Sequence, residues 1–295
     1  MFPLHAVPVP TTVASLTCRN LALDLSAQPR LMGILNVTDD SFFDGGRHLA
    51  LDSALQRARQ LVAEGADLLD IGGQSTRPGY TEISDAEEIA RTAPVIRDLA
   101  AEFPALPLSI DTYKPAVAVA ALSAGAHILN DIHGLQGPGG PALARLAAET
   151  GAALVVMHHD PALRDTTDAD PIPAVLAFLR RSLAIAVAAG VHGSRIVIDP
   201  GIGFGKTQPQ NVALLRRLDA LHTLGCPVLL GVSRKSVFGH LLPELATPVD
   251  RLEATLATTT LAVAQGVQLH RVHDVQANSR AARVAAALVP HPSPR

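Results

Sequence analysis

The chain is poor in cysteine and close to neutral. Its two cysteines, Cys18 and Cys226, sit in unrelated contexts with no metal-ligand or redox spacing. They read as buried or incidental thiols, and a reducing compartment fits them. Lys and Arg number 24 against 27 Asp and Glu, so the formal charge is only -3 and there is no overall bias toward nucleic acid. The first 17 residues hold three prolines and neither Lys nor Arg, which suits neither the basic start nor the apolar helix of a signal peptide. Elsewhere no uncharged stretch resembles a membrane span. These absences lead us to expect a soluble cytoplasmic protein with no membrane partner. Nearly half the residues, 48%, are apolar, enough to bury one large core.

What is present is a set of polar residues at regular intervals, each ending a short apolar run: Asn36, Asp70, Asp111, Asn130, His158, Asp199, Lys235 and His273. The runs are Leu31 to Val37, Leu68 to Gly72, Pro107 to Asp111, His127 to Asp131, Ala153 to His158, Ile196 to Asp199, Val228 to Val232 and Val267 to Val272. Runs of Leu, Ile and Val with little alternation are expected of parallel strands covered on both faces. Between them, Leu51, Leu55, Ala58 and Val62 recur at helical spacing, as do Leu252, Leu256, Thr259 and Val263. Glycines 65, 125, 151, 190, 225 and 266 each follow a helical pattern and precede a strand, the position of a left-handed helix stop. The repeat is strand, loop, helix, glycine turn. It predicts an α/β fold, a single TIM (β/α)8 barrel domain over 1–295 with its core at about 31–289. A doubly wound open sheet would need about two fewer strands. Residues 12 to 26 could form a short hairpin over the closed end, and residues 290 to 295 read as a frayed tail.

Chemistry is expected at the C-terminal ends of the strands. The loop from Asn36 to Gly46 is dense in Asp, Ser and Gly, and reads equally as oxygen ligands for a hard cation or as an ordinary surface turn. In the second loop, Ser75, Thr76 and Arg77 offer donors of the kind an anion needs, beside glycines that let backbone approach a ligand. Asp199 to Thr207 has the look of a phosphate loop, but Pro200 stands where its first glycine belongs, and a nucleotide reading is rejected. Basic residues end the last two strands, Arg234 and Lys235 in one and Arg271 and His273 in the other, where barrels commonly hold phosphate. The alternative is a salt-bridged rim paired with Asp274 and Asp250. Asp111, Asn130 and Asp199 suit a heterocycle presenting an amino group and ring nitrogens. His158 reads as a pocket-wall or core residue rather than a zinc ligand. Together these residues predict a polar pocket for a planar, donor-rich group joined to a phosphorylated tail.

From about Leu31 to Leu288 the chain resembles the dihydropteroate synthase family. The marks are Met32-Gly33-Ile34-Leu35-Asn36-Val37-Thr38, Asp70-Ile71-Gly72-Gly73 with Ser75-Thr76-Arg77-Pro78-Gly79, Ile110-Asp111-Thr112, Asn130-Asp131-Ile132, Asp199-Pro200-Gly201 with Gly203-Phe204-Gly205-Lys206, Ser233-Arg234-Lys235-Ser236, and Arg271-Val272-His273-Asp274-Val275. The resemblance implies that 4-aminobenzoate displaces diphosphate from hydroxymethyl-dihydropterin diphosphate. It implies a pterin held by Asp111, Asn130, Asp199 and Lys235, with Phe204 also contacting substrate. It implies a diphosphate held by Asn36, Arg77, Arg271 and His273, with Mg2+ at Asn36. Ser75, Thr76 and Pro78 would lie beside the aminobenzoate, and closure of the second loop would limit attack by water. Asp111, Asp199, Lys235, Arg271 and His273 would carry catalysis. Sulfonamides would be possible inhibitors, and the last helices would form a homodimer.

The chain departs from the family pattern at several positions. Asp39 stands where proline is usual, Phe43 where serine is usual and Gln74 where glutamate is usual, and His159-Asp160 replace Met and Gln in the fifth loop. Two other readings are a pterin-binding methyltransferase domain and a non-catalytic pterin-binding paralogue. The Ser-Thr-Arg-Pro-Gly loop, the Ser-Arg-Lys-Ser motif and the Arg-x-His ending favour diphosphate chemistry.

Overall fold

The computed structural model describes residues 14–37, 46–75, 81–166 and 170–289, with residues 46–49 described by their backbone alone. An antiparallel hairpin comes first, β1 (Ser15–Cys18) and β2 (Leu21–Asp24), paired from Ser15 with Asp24 to Cys18 with Leu21. Eight parallel strands follow: β3 (Arg30–Asn36), β4 (Leu68–Gly72), β5 (Leu108–Asp111), β6 (Ile128–Asp131), β7 (Ala153–Met157), β8 (Ile196–Asp199), β9 (Leu229–Leu230) and β10 (Leu269–Val272). Their order is β8-β7-β6-β5-β4-β3-β10-β9, and a parallel bridge between Ile198 and Val228 joins the two edges. The fold is a TIM barrel.

Helices alternate with these strands: α1 (Gly46–Ala63), α2 (Asp85–Glu102), α3 (Pro115–Ala124), α4 (Gly140–Thr150), α5 (Pro171–Ala188), α6 (Gln208–Leu215), α7 (Val237–Leu241), α8 (Leu252–Ala264) and α9 (Val275–Leu288). Ser84, Asp170 and Thr207 cap α2, α5 and α6 by accepting from backbone N–H groups of the first turn. The six glycines picked out by the pattern all take positive φ, between 69° and 116°. The anticipated stop signals therefore operate as expected. Length and mean hydropathy would let α5 cross a bilayer. It instead buries Val175, Phe178, Leu179 and Ala186, the face that packs with the outer core.

Period-2 alternation divides the interior in two. Leu31, Leu35, Leu69, Ile71, Leu108, Ile110, Leu154, Val156 and Ile198 face outward and pack with the helices. Met32, Leu68, Ile128, Ala153, Val155, Val197, Leu229 and Leu269 face the lumen and form a separate cluster with Leu16, Cys18, Leu23 and Leu25 of the hairpin. The hairpin thus packs beneath the strands as a floor. Its turn residue Arg19, at φ 56°, ties it there: the backbone N–H donates to the Gly151 carbonyl, and Nη1 donates to the carbonyls of Leu122 and Ala126.

Several strands are a residue or two shorter than their apolar runs. The largest difference is β9, whose ladder to β10 covers only Leu229 and Leu230. Beyond it the chain leaves the sheet, and the Arg234 N–H donates to the Thr255 hydroxyl on α8.

Candidate active site

Two residues above the hydrophobic floor, the same inward alternation presents Asp70, Asn130, Asp199 and Arg271, with Asp111 on β5 at the same level. Arg271 lies between two acids. Its Nε donates to Asp70 Oδ2 at 2.6 Å and its Nη2 to Asp111 Oδ2 at 2.7 Å. Asn130 Nδ2 donates to the same Asp70 oxygen at 3.0 Å. The remaining oxygens, Oδ1 of Asp70 and of Asp111, are buried without a hydrogen-bond partner. One guanidinium does not balance two buried carboxylates. Burial, with repulsion from Asp70, lifts the Asp111 pKa to about 7 even though Arg271 opposes the rise. Burial also opposes the charge on Arg271, but the two acids outweigh it and raise its pKa. The Oδ1 atoms of Asp70 and Asp111 lack donors, and a planar ligand carrying N–H groups would supply them.

Asp199 Oδ1 accepts from the Gly201 N–H at 2.7 Å, and burial raises its pKa against the pull of Lys235. Lys235 Nζ donates to the Ile202 carbonyl and lies 4.7 Å from the centre of the Phe204 ring. Desolvation lowers its pKa to about 8. Gly201 brings the β8 loop against the β7 loop: at φ 64°, a Cβ there would lie 2.0 Å from the His158 carbonyl oxygen. His273 is held by Ser233, whose hydroxyl is 3.0 Å from Nδ1 and accepts from the His273 N–H. Asn36 is exposed at the end of β3, and Ser75 is exposed after β4. Thr76, Arg77 and Pro78, together with Asp39 and Phe43, lie outside the described residues.

The structure brings Asp111, Asn130, Asp199 and Arg271 together at one level, with Lys235 beside Asp199 and the Phe204 ring against Lys235. Among the described residues, the basic ones expected near phosphate have protein partners here. Arg271 is engaged with acids in the lumen, and Arg234 forms a two-bond ion pair with Asp274. That half of the rim alternative is present, whereas Asp250 instead accepts from Thr247 in a helix-start box. His158 turns away from the lumen onto Phe178 of α5, 4.7 Å between ring centres, and meets Lys206.

Sequence reasoning gave no role to four features. Asp70 reads in the sequence as a strand ending and as part of a family mark, and its inward register is the signal for a lumen role. Lys206 looked like part of a glycine loop, yet it is buried, with Nζ donating to the carbonyls of Gly201 and Phe204 and lying 2.7 Å from His158 Nδ1. Desolvation lowers its pKa to about 7. Gln74 accepts from Lys114 Nζ and from the Ile83 N–H, and Lys114 forms a buried ion pair with Glu88 at 3.0 Å. Glu88 thus supplies carboxylate charge beside the second loop, where Gln74 has none. Last, the rings of Tyr113, His133, His159 and Phe204 form a row, with successive centres 4.8, 5.4 and 5.5 Å apart.

Comparison with known proteins agrees with this arrangement. Residues 32–273 match the family described as pterin binding enzyme. The dihydropteroate synthase of Bacillus subtilis is 43% identical over 268 residues, 91% of each chain. A Xanthomonas albilineans dihydropteroate synthase structure with 4-aminobenzoic acid is 43% identical at TM-score 0.86, covering 95% of this chain and 99% of that one. A Yersinia pestis dihydropteroate synthase structure in a sulfonamide drug complex is 42% identical at TM-score 0.83, covering 92% and 98%. A barrel with acceptors on its inner strand ends, matched over nearly its full length by these enzymes, belongs to the dihydropteroate synthase family.

Proposed function

We infer that this chain is a transferase that condenses 4-aminobenzoate with (7,8-dihydropterin-6-yl)methyl diphosphate, giving 7,8-dihydropteroate and diphosphate in folate biosynthesis. The observation that carries the reading is the acceptor-rich level of Asp70, Asp111, Asn130 and Asp199 in a chain so similar to known synthases. The pterin's amino group and ring N–H groups would satisfy the orphaned Asp70 and Asp111 oxygens. Lys235 and Phe204 would border the ring, and Ser75, Thr76 and Pro78 would flank the aminobenzoate.

In the reaction the methylene C–O bond breaks, its electron pair leaves with the diphosphate, and the arylamine lone pair forms the new C–N bond. The amine then loses a proton to water. An arylamine is neutral at pH 7, so no strong base is required. Asp111 and Asp199 would favour electron donation from the ring toward the methylene, the basis of an SN1-like path. Arg271, His273, Asn36 and Arg77 would receive the charge developing on the diphosphate. For Arg271 this requires the ligand to draw it from the acids it now holds.

Asn36 presents one neutral oxygen at the exposed end of β3, and among the described residues no group of three or more acidic, His or Cys side chains is placed to hold a metal. Such a donor set fits Mg2+ that takes its other oxygens from substrate phosphate and water. When bound, Mg2+ would supply charge neutralisation at the leaving group.

Free Cys18 and Cys226 fit a reducing cytoplasm. A homodimer through the last helices is supported by the exposure of Leu261, Val284 and Leu288, at 64%, 60% and 77%. Sulfonamides, found on the Yersinia pestis relative, are expected to compete with the aminobenzoate.

The test is diphosphate release by purified protein given the pterin diphosphate, with and without 4-aminobenzoate, across Mg2+ concentrations. Amine-dependent release with dihydropteroate formed supports the reading. Pterin binding without turnover would establish the non-catalytic paralogue instead.

A further inference from the structure

His159 is held in one orientation by its neighbours. Its ring stacks on His133 with a 10° angle between planes and meets the Phe204 ring edge-on. His133 follows β6 and Phe204 follows β8, so His159 lies between the loops that carry Asn130 and Asp199. The strand register agrees, pairing Val155 with Asn130 and Met157 with Asp199. Along β7, Ala153 and Val155 face the lumen while Leu154 and Val156 face the helices, and His158 continues the outward series onto Phe178. His159, just past the end of β7, instead turns to His133 and to Phe204, the ring that also meets Lys235.

The two ring nitrogens differ in environment. Nδ1 is buried and has no hydrogen-bond partner, whereas Nε2 is not enclosed in this way. A proton on Nδ1 would be an orphaned donor, which is costlier than an orphaned lone pair. The proton therefore belongs on Nε2. Adding a second proton would place that same orphan on Nδ1 and a charge beside His133 and Lys206, and burial with these neighbours lowers the His159 pKa.

We propose that His159 is a specificity-determining residue: a neutral imidazole, fixed as its Nε2–H tautomer, that donates to a carbonyl or ring-nitrogen acceptor of the heterocycle. The acids on the inner strand ends read the heterocycle's donors, and His159 adds to Lys235 a second, neutral donor for its acceptor edge. The proposal rests on the reading above that a heterocycle occupies the lumen.

The test is equilibrium binding of 6-hydroxymethylpterin to the full-length protein and to His159→Phe, His159→Gln and His159→Asn, with KM and kcat for the pterin diphosphate. His159→Phe keeps a ring and loses the donor, and binding should weaken by about five- to tenfold, the size of one neutral hydrogen bond. His159→Gln carries an N–H near the Nε2 position and should bind within about twofold of the native protein. His159→Asn reaches only the Nδ1 position and should lose as much as His159→Phe. The loss should appear in KM, with kcat little changed. Unchanged binding by His159→Phe, or equal loss in Gln and Asn, overturns the proposal and leaves the synthase reading intact. Native protein that binds no pterin overturns both.

Discussion

Arg271 and Asp111, 160 residues apart in the chain, meet across the lumen through a 2.7 Å hydrogen bond between Nη2 and Oδ2. The same guanidinium reaches Asp70, so a single side chain holds two acids in place. Arg271→Ala and Asp111→Ala are each expected to lower turnover by at least about a hundredfold, the scale of losing one preorganised charged contact. Initial rates of diphosphate release measure this. An unchanged rate in either variant would remove that residue from the mechanism.

The raised pKa of Asp111 gives stability a pH dependence of known sign. Folded protein holds the Asp111 proton up to about pH 7, whereas the unfolded chain loses it near the ordinary value of 3.8. Folded protein therefore binds more protons in that window, and the Asp111 contribution to stability is lost as pH rises through it. Asp111→Asn lacks this term. Its melting temperature relative to native protein should rise between about pH 4 and pH 7, and a relative fall over that range would contradict the assignment.

Lys114 and Glu88 form a buried pair, with 8% and 2% of their side chains exposed. Lys114→Met should destabilise by about 3 to 5 kcal/mol, because it leaves the Glu88 carboxylate buried without a counter-charge. Urea unfolding reads this directly. A loss under about 1 kcal/mol would mean that water reaches Glu88 and the pair matters little.

Lys206 is the third buried cation to test, and its partners are structural. Lys206→Met orphans the carbonyls of Gly201 and Phe204 and should cost at least about 2 kcal/mol in unfolding free energy. If Lys206 instead met substrate phosphate, the variant would stay stable and show a raised KM for the pterin diphosphate.

Much of this was legible in the chain because it depends on local periodicity. Asp70, Asp111, Asn130 and Asp199 end apolar runs, and the pleat sends alternate side chains inward, so a shared level follows from counting. Gly125 and Gly151 were readable because a left-handed residue after a helix strongly favours glycine. The partner of Arg271 was not readable, since Asp70 lies 201 positions away and only barrel closure brings the two together. Lys206 was hidden for another reason. A glycine-rich stretch does not show which way its lysine turns, and here Gly201, Gly203 and Gly205, all at positive φ, fold the loop back over Nζ.

The hairpin beneath the strands makes the barrel a cul-de-sac. Leu16, Cys18, Leu23 and Leu25 pack against the lowest inward residues, so a guest at the level of Asp70 and Asp111 has one way in and leaves by the same way. Traffic through such a space is ordered. For the two substrates proposed above, the deeper guest would have to arrive before the second settles over it, and the joined molecule would have to leave before the next turnover begins.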